Sequence, residues 1–339
     1  MRIVSSTTFL PEYHYETGDL LTKLPLRLSE ETLRSIRNLD VQSRRFAYPI
    51  STIIDGSFRS EYPDRSFHLA KMVGQRIMRD ADDIGFLIAC CNAHDYICPN
   101  LSSMLLRTLE LRPETRHCTL QGCGCTSFII ALQLAEDYLA KNRGKQVLII
   151  TSEVNSMLFA SGLRKIVEQK IELKQGTQDW VTLVETMLFG DGAAATLISD
   201  NEGETNIKPM LHVTNLKSDD YKLGIVGSNF YLSSGIPSAG IRYTRFLLEQ
   251  LQLNPKSFRK IILHTGSRKI LDSLLSTLDC KCDVASESYR VLEEYGNLSG
   301  ASLQFIMKEA LSRGIPGSAL MLGFGLGFHA GVALIEQSA

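Results

Sequence analysis

Two cysteines one residue apart, in Gln121-Gly122-Cys123-Gly124-Cys125-Thr126-Ser127, stand where an extended segment passes into an apolar stretch. Phe128, Ile129, Ile130, Ala131, Leu132, Leu134 and Ala135 cover nearly the whole circumference of a helix. This predicts a helix from about Thr126 to Lys141 running through the protein interior. A thiol at the start of a buried helix meets free backbone N–H groups and the positive end of the helix dipole, which favours thiolate. A thiolate attacks thioester carbonyls and holds the acyl group as a new thioester. Cys125 is the candidate nucleophile, and Cys123 competes with it from the same turn.

Two other positions carry compatible chemistry. His264 ends the apolar run Lys260-Ile261-Ile262-Leu263 and precedes the small-residue turn Thr265-Gly266-Ser267. It reads as a cleft histidine or as a satisfied core histidine. Asn297, in Tyr295-Gly296-Asn297-Leu298-Ser299, opens a second apolar helix. Helix capping alone would account for an asparagine there. The glycines of Gly323-Phe324-Gly325-Leu326-Gly327 lead into a strand, whereas a nucleotide-binding glycine loop opens a helix. A loop whose backbone N–H groups approach an acyl oxygen suits Gly323, Phe324, Gly325 and Gly327 better.

The elements that must position these residues alternate between strand and helix along the chain, the pattern of a layered α/β fold. In the first half a strand at Ile84–Cys90 precedes a helix at Ser102–Leu109 and an extended piece at His117–Leu120. The Thr126–Lys141 helix follows, then a strand at Gln146–Thr151, the turn Phe189-Gly190-Asp191-Gly192 and a strand at Ala193–Ile198. The second half repeats the order: strand Lys260–His264, a helix from Ser267, a helix Ser299–Ser312 and strand Ala319–Leu322. The Gly323–Gly327 turn and strand Gly331–Ile335 close it. Duplication of a whole half-domain explains this better than a solenoid repeat. The polar stretch Ser199–Asn206 divides residues 1–200, carrying the nucleophile, from 201–339, carrying His264 and Asn297. Leu163–Lys174 reads as a charged amphipathic helix. The repeat sets the Cys125 and Asn297 turns at equivalent helix starts, facing each other across a pseudo-twofold axis.

Composition narrows the function. Thirty-six basic and 37 acidic residues give a formal charge of −1, which supplies no pull toward nucleic acid or a charged membrane. No charge-free apolar run is long enough to span a bilayer, and the first residues lack a secretory apolar core, so a cytoplasmic protein is expected. Its eight cysteines would then be mostly reduced thiols. Neither Cys123-Gly124-Cys125 nor Cys280-Lys281-Cys282 has the spacing of paired zinc ligands, so no metal is expected.

Together these motifs resemble the thiolase-fold condensing enzymes, chiefly type III polyketide (chalcone synthase-like) synthases and ketoacyl-acyl carrier protein synthase III. Cys125 with Phe128, Ala131-Leu132 and Ala135 is similar to the nucleophile helix of synthase III. Gln121-Gly122-Cys123 copies the plant synthase motif, but counting back from Leu134-Ala135, Asp137, Asn142 and Gly144 puts the nucleophile at Cys125. His264–Asp272 resembles the family's histidine turn, Tyr295–Ser299 its asparagine motif, and Phe189–Ala195 and Gly323–Gly327 its two glycine turns. The segment Val41–Phe46 resembles an N-terminal basic segment.

The resemblance implies two pseudo-repeated αβαβα halves with the active site between them. It also implies decarboxylative Claisen condensation through an acyl-Cys125 intermediate, with His264 and Asn297 binding the enolate oxygen. No tightly bound cofactor is implied; the substrates would be acyl-CoA or acyl carrier protein thioesters. Arg37, Arg44 and Arg45 are the phosphate-contact candidates. A homodimer is implied, with Gln146–Thr151 as its pairing edge. Leu326 replaces the proline usual in the polyketide family's last turn, and its gating phenylalanine motif has no match in Leu173–Leu188. Both departures favour a single condensation over iterative extension. The alternatives are acyl transfer to an amine or hydroxyl, non-decarboxylative condensation, and a non-catalytic acyl-binding subunit. A papain-like protease shares the residue types but not the local cysteine signature.

Overall fold

The computed structural model describes residues 1–55, 57, 65–79, 81, 83–92, 98–217, 224–226, 229–231 and 236–337. In chain order the strands are β1 (Arg2–Phe9), β2 (Tyr13–Glu16), β3 (Ser43–Phe46), β4 (Ile84–Cys91), β5 (Arg116–Gln121), β6 (Gln146–Glu153) and β7 (Gly192–Ser199). They continue as β8 (Thr205–Thr214), β9 (Gly224–Val226), β10 (Asn229–Tyr231), β11 (Lys260–Leu263), β12 (Ser318–Gly325) and β13 (His329–Gln337). Nine of them form one sheet in the order β11-β12-β13-β8-β1-β7-β6-β4-β5.

That order contains the duplication. β4 runs parallel to β6, which is antiparallel to β7, which is antiparallel to β1. β11, β12, β13 and β8 reproduce the same sequence of pairings. The two half-sheets join where β1 meets β8, through Arg2↔Asn206 and Ile3↔Thr205. Residues 200–204, inside the stretch expected to divide the chain, turn β7 into β8.

Strand alternation shows the layers. On β6, Leu148 and Ile150 face one apolar cluster while Val147 and Ile149 face another. On β12, Ala319 and Met321 share that second cluster, and Leu320 and Leu322 face a third. The shared cluster holds Phe128, Ile129, Ala131 and Leu132 from one helix and Leu303, Phe305, Ile306 and Met307 from its counterpart. Those helices, Ser127–Lys141 and Ser302–Arg313, form the central layer. The architecture is therefore thiolase-like, αβαβα, as the family resemblance implied. Each wholly buried side chain of the size of Phe128 stabilises this layer by ~1.5–3 kcal/mol.

Three expectations need correction. β6 is an inner strand with every residue buried, so it offers no edge; β5 is the outermost strand and is partly exposed. The helix expected at Leu163–Lys174 begins earlier, at Ser156, and ends at Gln169, because Lys170 turns left-handed (φ 49°). Gly323 and Gly325 complete β12 rather than lying in the turn beyond it.

Candidate active site

Both central helices open with a short 3-10 turn, Gly124–Thr126 in one half and Ser299–Ala301 in the other. Cys125 lies in the first and is 6% exposed. Its Sγ is 3.9 Å from Ser299 Oγ, so the duplicated helix starts meet as the repeat required. Cys123 points elsewhere, half-buried, with Sγ 3.8 Å from the carbonyl of its neighbour Gln121.

Asn297 is buried and tied by its backbone to the first half. Its N–H donates to Leu188 O (2.8 Å), and its carbonyl accepts from Gly190 N (3.2 Å). Its Oδ1 accepts from Ser299 N at 2.8 Å, closing an Asx-type turn in place of the expected helix cap. With Oδ1 committed, Nδ2 is the end of the amide left to donate. The Phe189–Gly192 turn that receives it is fixed by buried Asp191, which accepts from Ala47 N (2.7 Å), Ser156 N (2.9 Å) and Ser156 Oγ (2.5 Å). Burial still pushes the Asp191 carboxyl up to about 6 against those three bonds.

His264 lies just past β11, with its N–H on Leu322 O (3.1 Å) and its ring edge-on to Phe324 at 5.7 Å. The next residue, Thr265, bonds through its hydroxyl to Ser302 Oγ (2.9 Å), which accepts from Leu298 N (3.0 Å). The histidine turn is thus linked to the asparagine turn by two bonds. Burial lowers His264 to about 3, keeping the imidazole neutral, and its Nδ1 is buried without a hydrogen-bond partner. Gly325 brings the end of β12 against the nucleophile: a Cβ there would lie 2.5 Å from Cys125 N. The glycine-rich segment and the Cys125 turn are therefore in direct backbone contact.

The expected acidification of the thiol is not found. Burial, and then the negative charge of Glu153, push Cys125 up to about 12, against a smaller opposing effect of the Ser299 hydroxyl. Glu153, at the end of β6, has no exposed surface and is itself raised to about 8 by burial. Sequence reading missed Glu153, Ser299 and Asn92. A carboxylate closing an otherwise apolar strand was the available signal for Glu153.

The arginine expectations divide. Arg44 is fully buried, donating through Nη2 to Thr17 Oγ1 (2.7 Å) and Met187 O (2.8 Å), and burial lowers it to about 10. It supports the interior and cannot reach a phosphate in solution. Arg45 Nη1 is bound to the carbonyls of Pro11 and Glu12 (3.1 and 3.3 Å), and Arg37 is exposed at the end of its helix. Among the described residues no cluster of three or more His, Cys, Asp and Glu offers a metal site, and no helix is long and apolar enough to cross a membrane.

With this geometry in place, comparison with known proteins is direct. Residues 59–216 match the FAE1/type III polyketide synthase-like family, and residues 248–337 match the C-terminal part of 3-oxoacyl-[acyl-carrier-protein] synthase III. The chain is a thiolase-fold condensing enzyme, a transferase that joins acyl thioesters by Claisen-type C–C bond formation. Within that class it resembles both type III polyketide synthases and ketoacyl-acyl carrier protein synthase III.

Solved structures share the fold over the whole chain. 1,3,6,8-Tetrahydroxynaphthalene synthase of Streptomyces coelicolor, a bacterial type III polyketide synthase, has a TM-score of 0.81 at 20% identity, covering 100% of both chains. The C-terminal type III polyketide synthase domain of Steely1 from Dictyostelium has a TM-score of 0.81 at 19% identity, covering 100% of this chain and 99% of its own. CsyB in complex with CoA-SH has a TM-score of 0.80 at 18% identity, covering 99% of this chain and 100% of its own.

Proposed function

We propose that this enzyme performs a decarboxylative condensation through acyl-Cys125, with His264 and Asn297 as the enolate-binding pair. Cys125 Sγ attacks the acyl carbon of a thioester donor; the donor's thiol leaves carrying the cysteine's proton. A malonyl-type thioester then loses CO₂, and the enolate carbon attacks the acyl carbon, releasing the Cys125 thiolate, which takes a proton from water to restore the thiol. The observation that carries this reading is the orientation of Asn297. Its Oδ1 is held by Ser299 N, so the amide presents a donor, as an enolate oxygen requires. A neutral His264 likewise supplies an imidazole N–H without adding a formal charge. The contact between Gly325 and the Cys125 backbone supports an oxyanion site built from that turn and Gly323, Phe324, Gly325 and Gly327.

The donor is a coenzyme A thioester or an acyl carrier protein thioester. Exposed Arg37, together with Arg45, is the remaining candidate for its phosphates. Absence of the family's last-turn proline at Leu326 favours a single condensation. The setting is cytoplasmic, and the halves 1–200 and 201–339 act as nucleophile-bearing and enolate-binding parts. The active unit is a homodimer paired through the exposed β5 edge.

Acyl-enzyme formation by intact mass and CO₂ release from the extender separate the steps. Asn297→Ala should load at close to the parent rate while decarboxylation falls by roughly 10²–10³, the loss of one preorganised donor. Decarboxylation at the parent rate would reduce Asn297 to a structural turn residue and remove the main support for this mechanism.

A further inference from the structure

A closed set of polar groups beneath Cys125 has no part in the scheme above. Glu153 Oε1 accepts from Asn92 Nδ2 (2.7 Å) and Gly300 N (3.2 Å), and its Oε2 accepts from Asn92 N (3.1 Å). Asn92 Oδ1 accepts from Gly124 N at 3.0 Å, in the turn that carries the thiol. The amide is therefore held at both ends, and its orientation is settled by its partners. Asn92 Nδ2 also lies 3.2 Å from Ser299 Oγ, and that hydroxyl is 3.9 Å from Cys125 Sγ.

The direction of each bond follows from the chemistry. An amide NH₂ only donates, so Ser299 Oγ accepts from Asn92, and toward a Cys125 thiolate, which can only accept, the serine hydroxyl is the donor. The order is Asn92 to Ser299 to Cys125. Such a chain stabilises a thiolate but cannot carry the thiol proton back to Glu153, because the amide nitrogen accepts nothing.

We propose that Asn92 and Ser299 form a one-way donor chain that stabilises the Cys125 thiolate, with Asn92 as a positioning residue acting through Ser299. Glu153 anchors Asn92 and Gly300; above about pH 8, where it ionises, its charge opposes the thiolate and the chain counters that charge. The charged group acting on Cys125 is Glu153 from β6, with Asp191 acting in turn on Glu153. The inference rests on Cys125 being the nucleophile.

Alkylation of Cys125 by iodoacetamide, followed against pH by peptide mapping, reads the thiolate directly. Ser299→Ala and Ser299→Gly both remove the hydroxyl, and glycine also relieves the left-handed backbone at Ser299 (φ 51°). Both should slow alkylation about tenfold at a fixed pH well below the thiol's midpoint. Asn92→Ala should slow it in the same direction, and the double variant Asn92→Ala/Ser299→Ala should go no further than Ser299→Ala alone. A parental rate in both Ser299 variants, or additive losses in the double variant, would overturn the chain. Acylation of the parent protein by a thioester, mapped to its residue, tests the nucleophile separately. A label elsewhere sinks the functional reading, while the titration still decides the chain.

Discussion

Gly325→Ala perturbs the site without touching a polar group. The added Cβ would lie 2.5 Å from Cys125 N and 3.1 Å from Cys125 Cβ. Ordinary van der Waals contact begins at 3.4 Å, so the two backbones must separate by roughly 1 Å. Neither is free to yield. Gly325 is paired with His329 in the β12–β13 ladder, and the Cys125 turn is bonded to Asn92 and continuous with a buried helix. The strain should cost ~1–3 kcal/mol of stability, as overpacking does, and lower the Tm by a few degrees. The larger effect should fall on acyl loading, since a displacement of about 1 Å in a reacting group costs on the order of 10² in rate. Acyl-Cys125 formation followed by rapid-quench intact mass, beside a thermal melt, separates the two. A variant that loads at the parent rate with an unchanged melt would show that this contact does not position the nucleophile.

The remaining predictions concern charge and assembly. Glu185 is a buried carboxyl whose Oε1 has no partner, and burial raises it to about 8. A carboxyl raised in the folded state loses stability as pH rises from its unfolded value through its folded one. Glu185→Gln should therefore gain on the parent from about pH 4.5 to pH 8, at ~1.4 kcal/mol per unit, in urea unfolding at stepped pH. A pH-independent difference would place that carboxyl in contact with water. Light scattering at micromolar concentration should give twice the 37.7 kDa chain mass, and a single-chain mass would refute pairing through β5.

The duplication was legible because the buried strands announce themselves as apolar runs. Val147–Ile150 and Leu320–Leu322 are continuous, and the second leads directly into a glycine-rich turn. β1 was not legible: Ser5-Ser6-Thr7-Thr8 has no apolar alternation, and it becomes a strand by pairing with β7 nearly two hundred residues away. The helix Gln178–Leu188 was missed for a related reason, since its stop depends on the Phe189 turn binding Asn297. Cys125, His264 and Asn297 stood out because each closes a recognisable motif. Asn92, Glu153 and Ser299 did not, because their bonds span 61 and 207 residues and no local pattern links them. The same gap explains the thiol. A helix start is visible in sequence and argues for thiolate, but the burial that opposes it, and then the charge of Glu153 from β6, come from the tertiary packing.

Duplication also explains why the two helix starts differ so sharply. The middle residue of each 3-10 turn is Cys125 in one half and Gly300 in the other. Any side chain at 300 would put its Cβ 2.5 Å from Glu153 Oε1 and 2.8 Å from Ser127 Oγ. One half therefore presents a side chain at this point, and the other must present none. The bare backbone at Gly300 donates its N–H to Glu153, and Glu153 holds Asn92 against the Cys125 turn. A symmetric pair of thiols would expel that carboxylate and with it the anchor of the turn. Asymmetry at this one position allows the second half to supply the serine that faces the thiol of the first.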